Sequence, residues 1–225
     1  MRVLAVGVHP DDLEVYAGGL LLRLLGAGAQ VSPLVLTDGE AGTLQPREGS
    51  RREEAERAFA AQGLHGRFLG LPDGRLSREK DLAGCLSAEL KKQQPGLVLG
   101  PHEGDPHPDH AAVGRALAVP GFCPAPLLHW LGADPGELPN FFVGVEEVFE
   151  AKLAWIRFHA SQLPSRGGNR EHLPQGMDLL ERAKTRETRF GQVTGLGLAE
   201  PFLAKQRPER VCSLLGDCLF IGEDS

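Results

Sequence analysis

Two clusters in this 225-residue chain combine histidine and aspartate at spacings suited to a metal ion. The first is Val8-His9-Pro10-Asp11-Asp12-Leu13-Glu14. A His followed three residues later by an Asp can offer an imidazole nitrogen and a carboxylate oxygen to one divalent ion, and Pro10 restricts the turn between them. The second is Asp105-Pro106-His107-Pro108-Asp109-His110. Pro108 and Asp109 suit the first turn of a helix, on which His107 and His110, three apart, can face the same way. Each cluster also has a plainer reading, a polar turn whose Asp caps the next helix or a capped helix start with exposed histidines. Together they complement each other, because two His and one carboxylate make up the protein's share of a catalytic zinc shell and leave one position for water. Water bound there, with its pKa lowered to about 7, is a nucleophile for hydrolysis at neutral pH.

Such groups must be brought to one edge of a scaffold, and the first half of the chain has the periodicity of one. Arg2 to Val8 is a nearly all-apolar run of buried-strand type, and Ala17 to Leu25 has leucines at helical spacing before Gly26-Ala27-Gly28 stops it. Val31 to Thr37 reads as a second strand. Ser50 to Gln62 reads as a helix with a Ser cap, early acidic residues and Gly63 as its stop. Arg67 to Leu71 is a third strand closed by Pro72-Asp73-Gly74, Ser77 to Gln94 a helix, and Leu97 to Pro101 a fourth strand. Strands alternating with helices predict an α/β fold: a Rossmann-like, mostly parallel twisted sheet with helices on both faces. Both clusters then fall beyond strand C-termini, where open α/β sheets bind ligands. In the second half, Leu127 to Leu131 and Phe141 to Val145 are candidate strands, Glu146 to Gln162 and Asp178 to Phe190 candidate helices, and Ser165 to Gly176 a loop near the site.

Composition narrows the function classes. With 24 Lys+Arg against 30 Asp+Glu, the net charge is −6, which argues against nucleic acid as a partner. At 41% hydrophobic, a chain this long can bury a full core as a single domain without help from a metal or disulfides, so any metal is there for chemistry. No apolar run approaches twenty residues and the first residues lack a cleavage-site pattern, so a cytoplasmic protein without a membrane partner is expected. Cys85, Cys123, Cys212 and Cys218 show no C-x-x-C pairing and read as reduced, mostly buried thiols. A nucleotide- or sugar-binding module without catalysis would call for G-x-G-x-x-G after the first strand, where this chain has His-Pro-Asp-Asp.

The segments HPDDLEVYAGG (9–19), TDGEAGT (37–43), SRREEA (50–55), LGLPDGRL (69–76) and PHEGDPHPDH (101–110) resemble, in order, the LmbE-like (PIG-L) superfamily of metal-dependent N-deacetylases. The resemblance implies one deacetylase domain over 1–225, with a βαβ core over 1–120 that carries both motifs and C-terminal strands, helices and loops over 121–225. It implies that His9, Asp12 and His110 ligate Zn2+, with Fe2+ as the alternative ion in the cell, and that Asp11 is the general base. It further implies that His107, oriented by Asp109 and favoured in its protonated form, stabilises or protonates the reacting centre, and that Arg51 contacts substrate. For Arg51, an exposed residue paired with Glu54 or Glu48 is an equally good reading of the sequence. Some relatives carry a tyrosine where this chain has Asp105, so that residue's role does not transfer. The implied substrate is an N-acetylglucosamine-type small molecule, with GlcNAc-malate of bacillithiol synthesis as the resembled branch; an acylated antibiotic sugar or a chitobiose-like oligomer are alternatives. Homo-oligomers would accord with the family.

Overall fold

A computed structural model of the protein describes residues 1–42, 50–131, 138–163, 177–205 and 207–221. The loop expected at 165–176, together with Thr43, Glu48 and His172, lies outside the described residues. Eight strands form one sheet: β1 (Arg2–Gly7), β2 (Gln30–Thr37), β3 (Arg67–Leu71), β4 (Leu97–Pro101), β5 (Leu127–Trp130), β6 (Phe141–Gly144), β7 (Ala199–Ala204) and β8 (Cys218–Phe220). Their order is β3-β2-β1-β4-β5-β7-β6-β8. The pairings from β3 across to β5 are parallel, with Val3 opposite both Val31 and Leu97; β7 runs antiparallel to β5 and β6, and β8 to β6.

The helices are α1 (Asp12–Gly26), α2 (Ser50–Ala61), α3 (Leu82–Gln93), α4 (Pro108–Ala118), α5 (Phe149–Ile156), α6 (Leu179–Thr194) and α7 (Glu209–Leu215). Because side chains alternate along a strand, β1 sends Val3 and Ala5 to one face and Leu4 and Val6 to the other. The first face packs residues of α1, α2, α5, α6 and α7, and the second packs α3 and α4. This is the expected α/β sheet with helices on both faces. No described helix is long and apolar enough to cross a membrane. The four cysteines are free thiols, half-buried rather than mostly buried.

Several elements depart from the sequence-based boundaries for identifiable reasons. Helix α1 begins at Asp12 rather than Ala17, because Asp11 N–H and Asp12 N–H close the turn onto His9 O at 3.0 and 3.3 Å and Val15 N–H already bonds Asp11 O. The helix expected over 77–94 splits into a 3-10 turn (Leu76–Arg78) and α3, because Leu76 N–H is drawn to Asp109 Oδ1 (3.0 Å) and its side chain enters the core. The helix expected over 146–162 breaks after Ile156. There Glu54 accepts both Ser161 N–H (2.9 Å) and Ser161 Oγ–H (2.7 Å), and His159 turns inward. Helix α6 runs on to Thr194, held at its start by a reciprocal capping box between Asp178 and Glu181. Strands β7 and β8 and helix α7 have no counterpart in the sequence-based expectations.

Candidate metal centre

The chain leaves β1 through α1 toward β2 on one side, while β4 lies on the other side of β1. The carboxyl ends of β1 and β4 therefore flank the point where strand order reverses, and this is where the two motifs meet. His9 Nδ1 faces His110 Nε2 at 3.1 Å. Asp12 Oδ2 lies 3.7 Å from the first nitrogen and 3.4 Å from the second. Asp12 does not cap the helix through its side chain; Oδ2 folds back to accept the N–H groups of Val8 and His9, both at 2.8 Å, which fixes the carboxylate. All three residues are buried.

Three donor atoms 3.1–3.7 Å apart fit the edges of a tetrahedron with bonds of about 2.0–2.1 Å, as in zinc sites. Two facing imidazole nitrogens beside a carboxylate are also an arrangement that a cation relieves. His107 offers a further nitrogen, within 4.8 Å of those of His9 and His110. The residues present thus fit a divalent ion. The surroundings favour positive charge: burial opposes protonation of His9, yet Asp12 and Asp73 outweigh it and lift its pKa to about 10. For His110 burial again opposes, and Asp12 and Asp105 lift the value to about 9.

Asp11 points away from this triangle. Its backbone has φ 152°, a region that costs a non-glycine residue about 1–3 kcal/mol and tends to persist at functional sites. Its Oδ2 accepts from Arg51 Nη2 at 3.1 Å, and no hydrogen bond involves Oδ1 among the described residues. Arg51 is buried, not exposed and paired with Glu54, and its Nη1 donates to Gly39 O at 3.0 Å. Gly39, at φ +74°, leaves the room: a Cβ there would stand 2.9 Å from the guanidinium. Arg52 lies outside, between Asp38 and Glu56.

The structure changes the expected partnership of His107 and Asp109. Asp109, wholly buried, spends its oxygens on Gly74 N–H (2.7 Å) and Leu76 N–H (3.0 Å), tying the turn after β3 to α4. His107 is exposed at the N-cap of α4, where Nδ1 accepts from Asp109 N–H, so it is the Asp109 backbone that touches the ring. Partial desolvation of the ring by its neighbours, and the charges of His110 and His9, push the His107 pKa down despite Asp12 and Asp109, so a neutral imidazole is favoured instead of the protonated one. Its ring centroid stands 4.7 Å from those of both His9 and His110.

Sequence reasoning missed four contributors. Asp73 lies 3.0 Å from His9 Nε2, and Asp105 lies 3.3 Å from His110 Nδ1. Tyr16 stacks on Trp130 at 4.9 Å, and Trp130 meets the His110 ring edge-on at 5.1 Å. The PDG turn and the aspartate ahead of His107 were visible in the sequence, but nothing local tied them to a histidine. His102 packs against His129, His159 pairs with Glu14, and His65 is exposed.

Comparison with known proteins gives a consistent picture. Residues 4–119 match the PIG-L family, described as GlcNAc-PI de-N-acetylase. The diacetylchitobiose deacetylase of Thermococcus kodakarensis is 31% identical over an alignment 193 positions long, with 72% of this chain and 70% of that protein covered. The crystal structure of a conserved protein from Thermus thermophilus superposes with a TM-score of 0.74 at 30% identity, covering 90% of this chain and 94% of that one. The N,N'-diacetylchitobiose deacetylase from Pyrococcus horikoshii also gives 0.74, at 25% identity and covering 90% and 83%.

Proposed function

The chain belongs to the PIG-L family of GlcNAc-PI de-N-acetylases, and on that premise we propose that it is a metal-dependent hydrolase removing acetyl from an N-acetylglucosamine-type small molecule. The observation that carries this reading is the meeting of His9 Nδ1, Asp12 Oδ2 and His110 Nε2 within 3.7 Å of one another beside an Asp11 that is turned elsewhere. In the proposal those three residues hold the ion, zinc by donor set, with Fe2+ as the alternative in the cell. When bound, the ion polarises the amide carbonyl and acidifies water. Asp11 is the proton carrier. Arg51 holds its Oδ2, which leaves Oδ1 to take a proton from the attacking water and pass it to the amine nitrogen as the C–N bond breaks. The products are acetate and a free amine. His107, neutral and exposed at the rim, supplies a hydrogen bond to the acetyl oxygen, while Asp109 holds the wall that carries it. Arg51 contributes by orienting Asp11.

The resemblance in the sequence favours GlcNAc-malate as substrate. A chitobiose-like oligomer is the second reading, favoured by the two relatives named as diacetylchitobiose deacetylases. The test is release of free amine from both compounds, with bound metal quantified in the same preparation. We expect turnover on at least one of them, about one ion per chain in the active preparation, and loss of turnover on chelation with unchanged far-ultraviolet circular dichroism. Turnover that persists in metal-free protein would overturn the proposal.

A further inference from the structure

Each proposed ligand ring has a carboxylate at its far nitrogen, and the two rings are mounted in opposite senses. His9 turns Nδ1 inward and presents Nε2 to Asp73 Oδ1 at 3.0 Å; His110 turns Nε2 inward and presents Nδ1 to Asp105 Oδ1 at 3.3 Å. Both carboxylates are anchored. Asp73 Oδ2 accepts Ala41 N–H at 2.8 Å while its own N–H donates to Glu40 Oε1 at 3.0 Å, and Asp105 Oδ1 accepts His107 N–H at 2.8 Å. A carboxylate accepts and cannot donate, so with the inner nitrogens turned to an ion each outer carboxylate is the acceptor for the remaining ring proton. Both inner nitrogens can then offer their lone pairs to one point beside Asp12 Oδ2, which lies 3.7 and 3.4 Å from them.

We propose that Asp73 and Asp105 are positioning residues that set the tautomers of His9 and His110 in opposite senses, so that the two rings form a preorganised seat for the ion. The inference deepens the reading above and rests on it. A ligating histidine with a carboxylate behind it is better oriented and more basic, and loss of such a partner weakens metal binding by about 10–100-fold. Asp73 comes from the turn after β3 and Asp105 from the loop after β4, so the seat also couples its two walls to the ion.

The experiment measures zinc affinity by competition with a chromophoric chelator, without substrate, for the wild type and for Asp73→Ala, Asp73→Asn, Asp105→Ala and Asp105→Asn. Each Ala variant should bind zinc about 10–100-fold more weakly. The Asn variants, whose amide oxygen still accepts a ring N–H, should recover part of that loss. Long-range 1H–15N spectra of the zinc-loaded wild type need no variant, and should show His9 protonated on Nε2 and His110 on Nδ1. Unchanged zinc affinity in the Ala variants, Asn variants no better than Ala, or the reversed nitrogens in the spectra would overturn the inference while leaving the metal site standing. A wild-type chain that takes up no zinc at this site would overturn the functional reading and the inference with it.

Discussion

Two groups of buried charge touch helix α1, one at its middle and one at its start, and they are balanced differently. At the middle, Glu200 accepts the N–H groups of Gly19 (2.7 Å) and Leu20 (2.8 Å), and Lys152 Nζ bridges Glu200 and Glu187 at 2.6 and 2.5 Å. Arg186 donates to Glu187 and to the carbonyls of Val15 and Tyr16. Two cations meet two anions, and the adjoining donors and acceptors of α1 are used as well. Gly19 permits the close approach, since a Cβ there would lie 2.5 Å from Val145. At the start of α1, Asp12, Asp73, Asp105 and Asp109 surround His9 and His110 while Asp11 pairs with Arg51, so that among the described residues five carboxylates meet one permanent cation. Buried ions usually come paired because an isolated charge is costly to desolvate. Burial of charge alone therefore does not distinguish a binding site from a structural brace in this molecule; the surplus of one sign does.

Replacing Asp11 by Asn tests the open cluster most severely. Asn has the shape of Asp and meets the same backbone strain, so the fold and metal content should persist while kcat falls by about 100- to 10,000-fold, the usual worth of a general base. Steady-state kinetics with metal analysis decides it, and a variant of near-wild-type rate would remove Asp11 from the chemistry. The closed cluster should respond in stability instead: Lys152→Met leaves buried Glu200 without its cation and Glu187 with Arg186 alone, and should cost about 3–5 kcal/mol in denaturant unfolding. Its zinc affinity and kcat should stay near wild type. If metal binding suffers as much as stability, the two clusters are not independent.

The smallest effect concerns His159, which lies 3.3 Å from Glu14 between the two groups. Burial opposes its charge, but Glu14 first, then Asp11 and Glu54, raise its pKa above the ordinary 6.5. A raised folded value means a stabilising contribution that is full below 6.5 and lost as pH climbs through the folded pKa. The Tm gap between wild type and His159→Gln should accordingly narrow as pH rises above about 6.5, as followed by thermal melts. A gap independent of pH would mean that Glu14 and His159 do not form an ion pair.

The difference between the two clusters also explains what the sequence made legible. The open cluster is encoded mostly in two short runs, 9–14 and 105–110, whose residue types and spacing already suggest their chemistry. The parallel half of the sheet was equally readable, because strands buried on both faces are continuous apolar runs and the helices between them carry their own caps. The closed cluster draws Lys152, Arg186, Glu187 and Glu200 from three elements, and each alone looks like a surface residue. Glu200 and Pro201 hide β7 for the same reason: a charged residue and an imino acid interrupt the pattern of a strand whose partners β5 and β6 satisfy it only in three dimensions. Arg51 was legible as a site residue only through the family resemblance, its own surroundings reading as a helix start, and Asp73 was visible only as part of a turn.

The carboxyl ends of the first four strands all feed the open cluster, so its proposed ligands and their carboxylate partners fall between residues 9 and 110. During synthesis those groups emerge well before Trp130, against which His110 packs, and before Arg186 and Glu200, which fasten α1. An N-terminal chain still attached to the ribosome would hold every proposed ligand but not the wall behind His110. The proposed ligands and the C-terminal half that closes over α1 are thus completed at different times during synthesis.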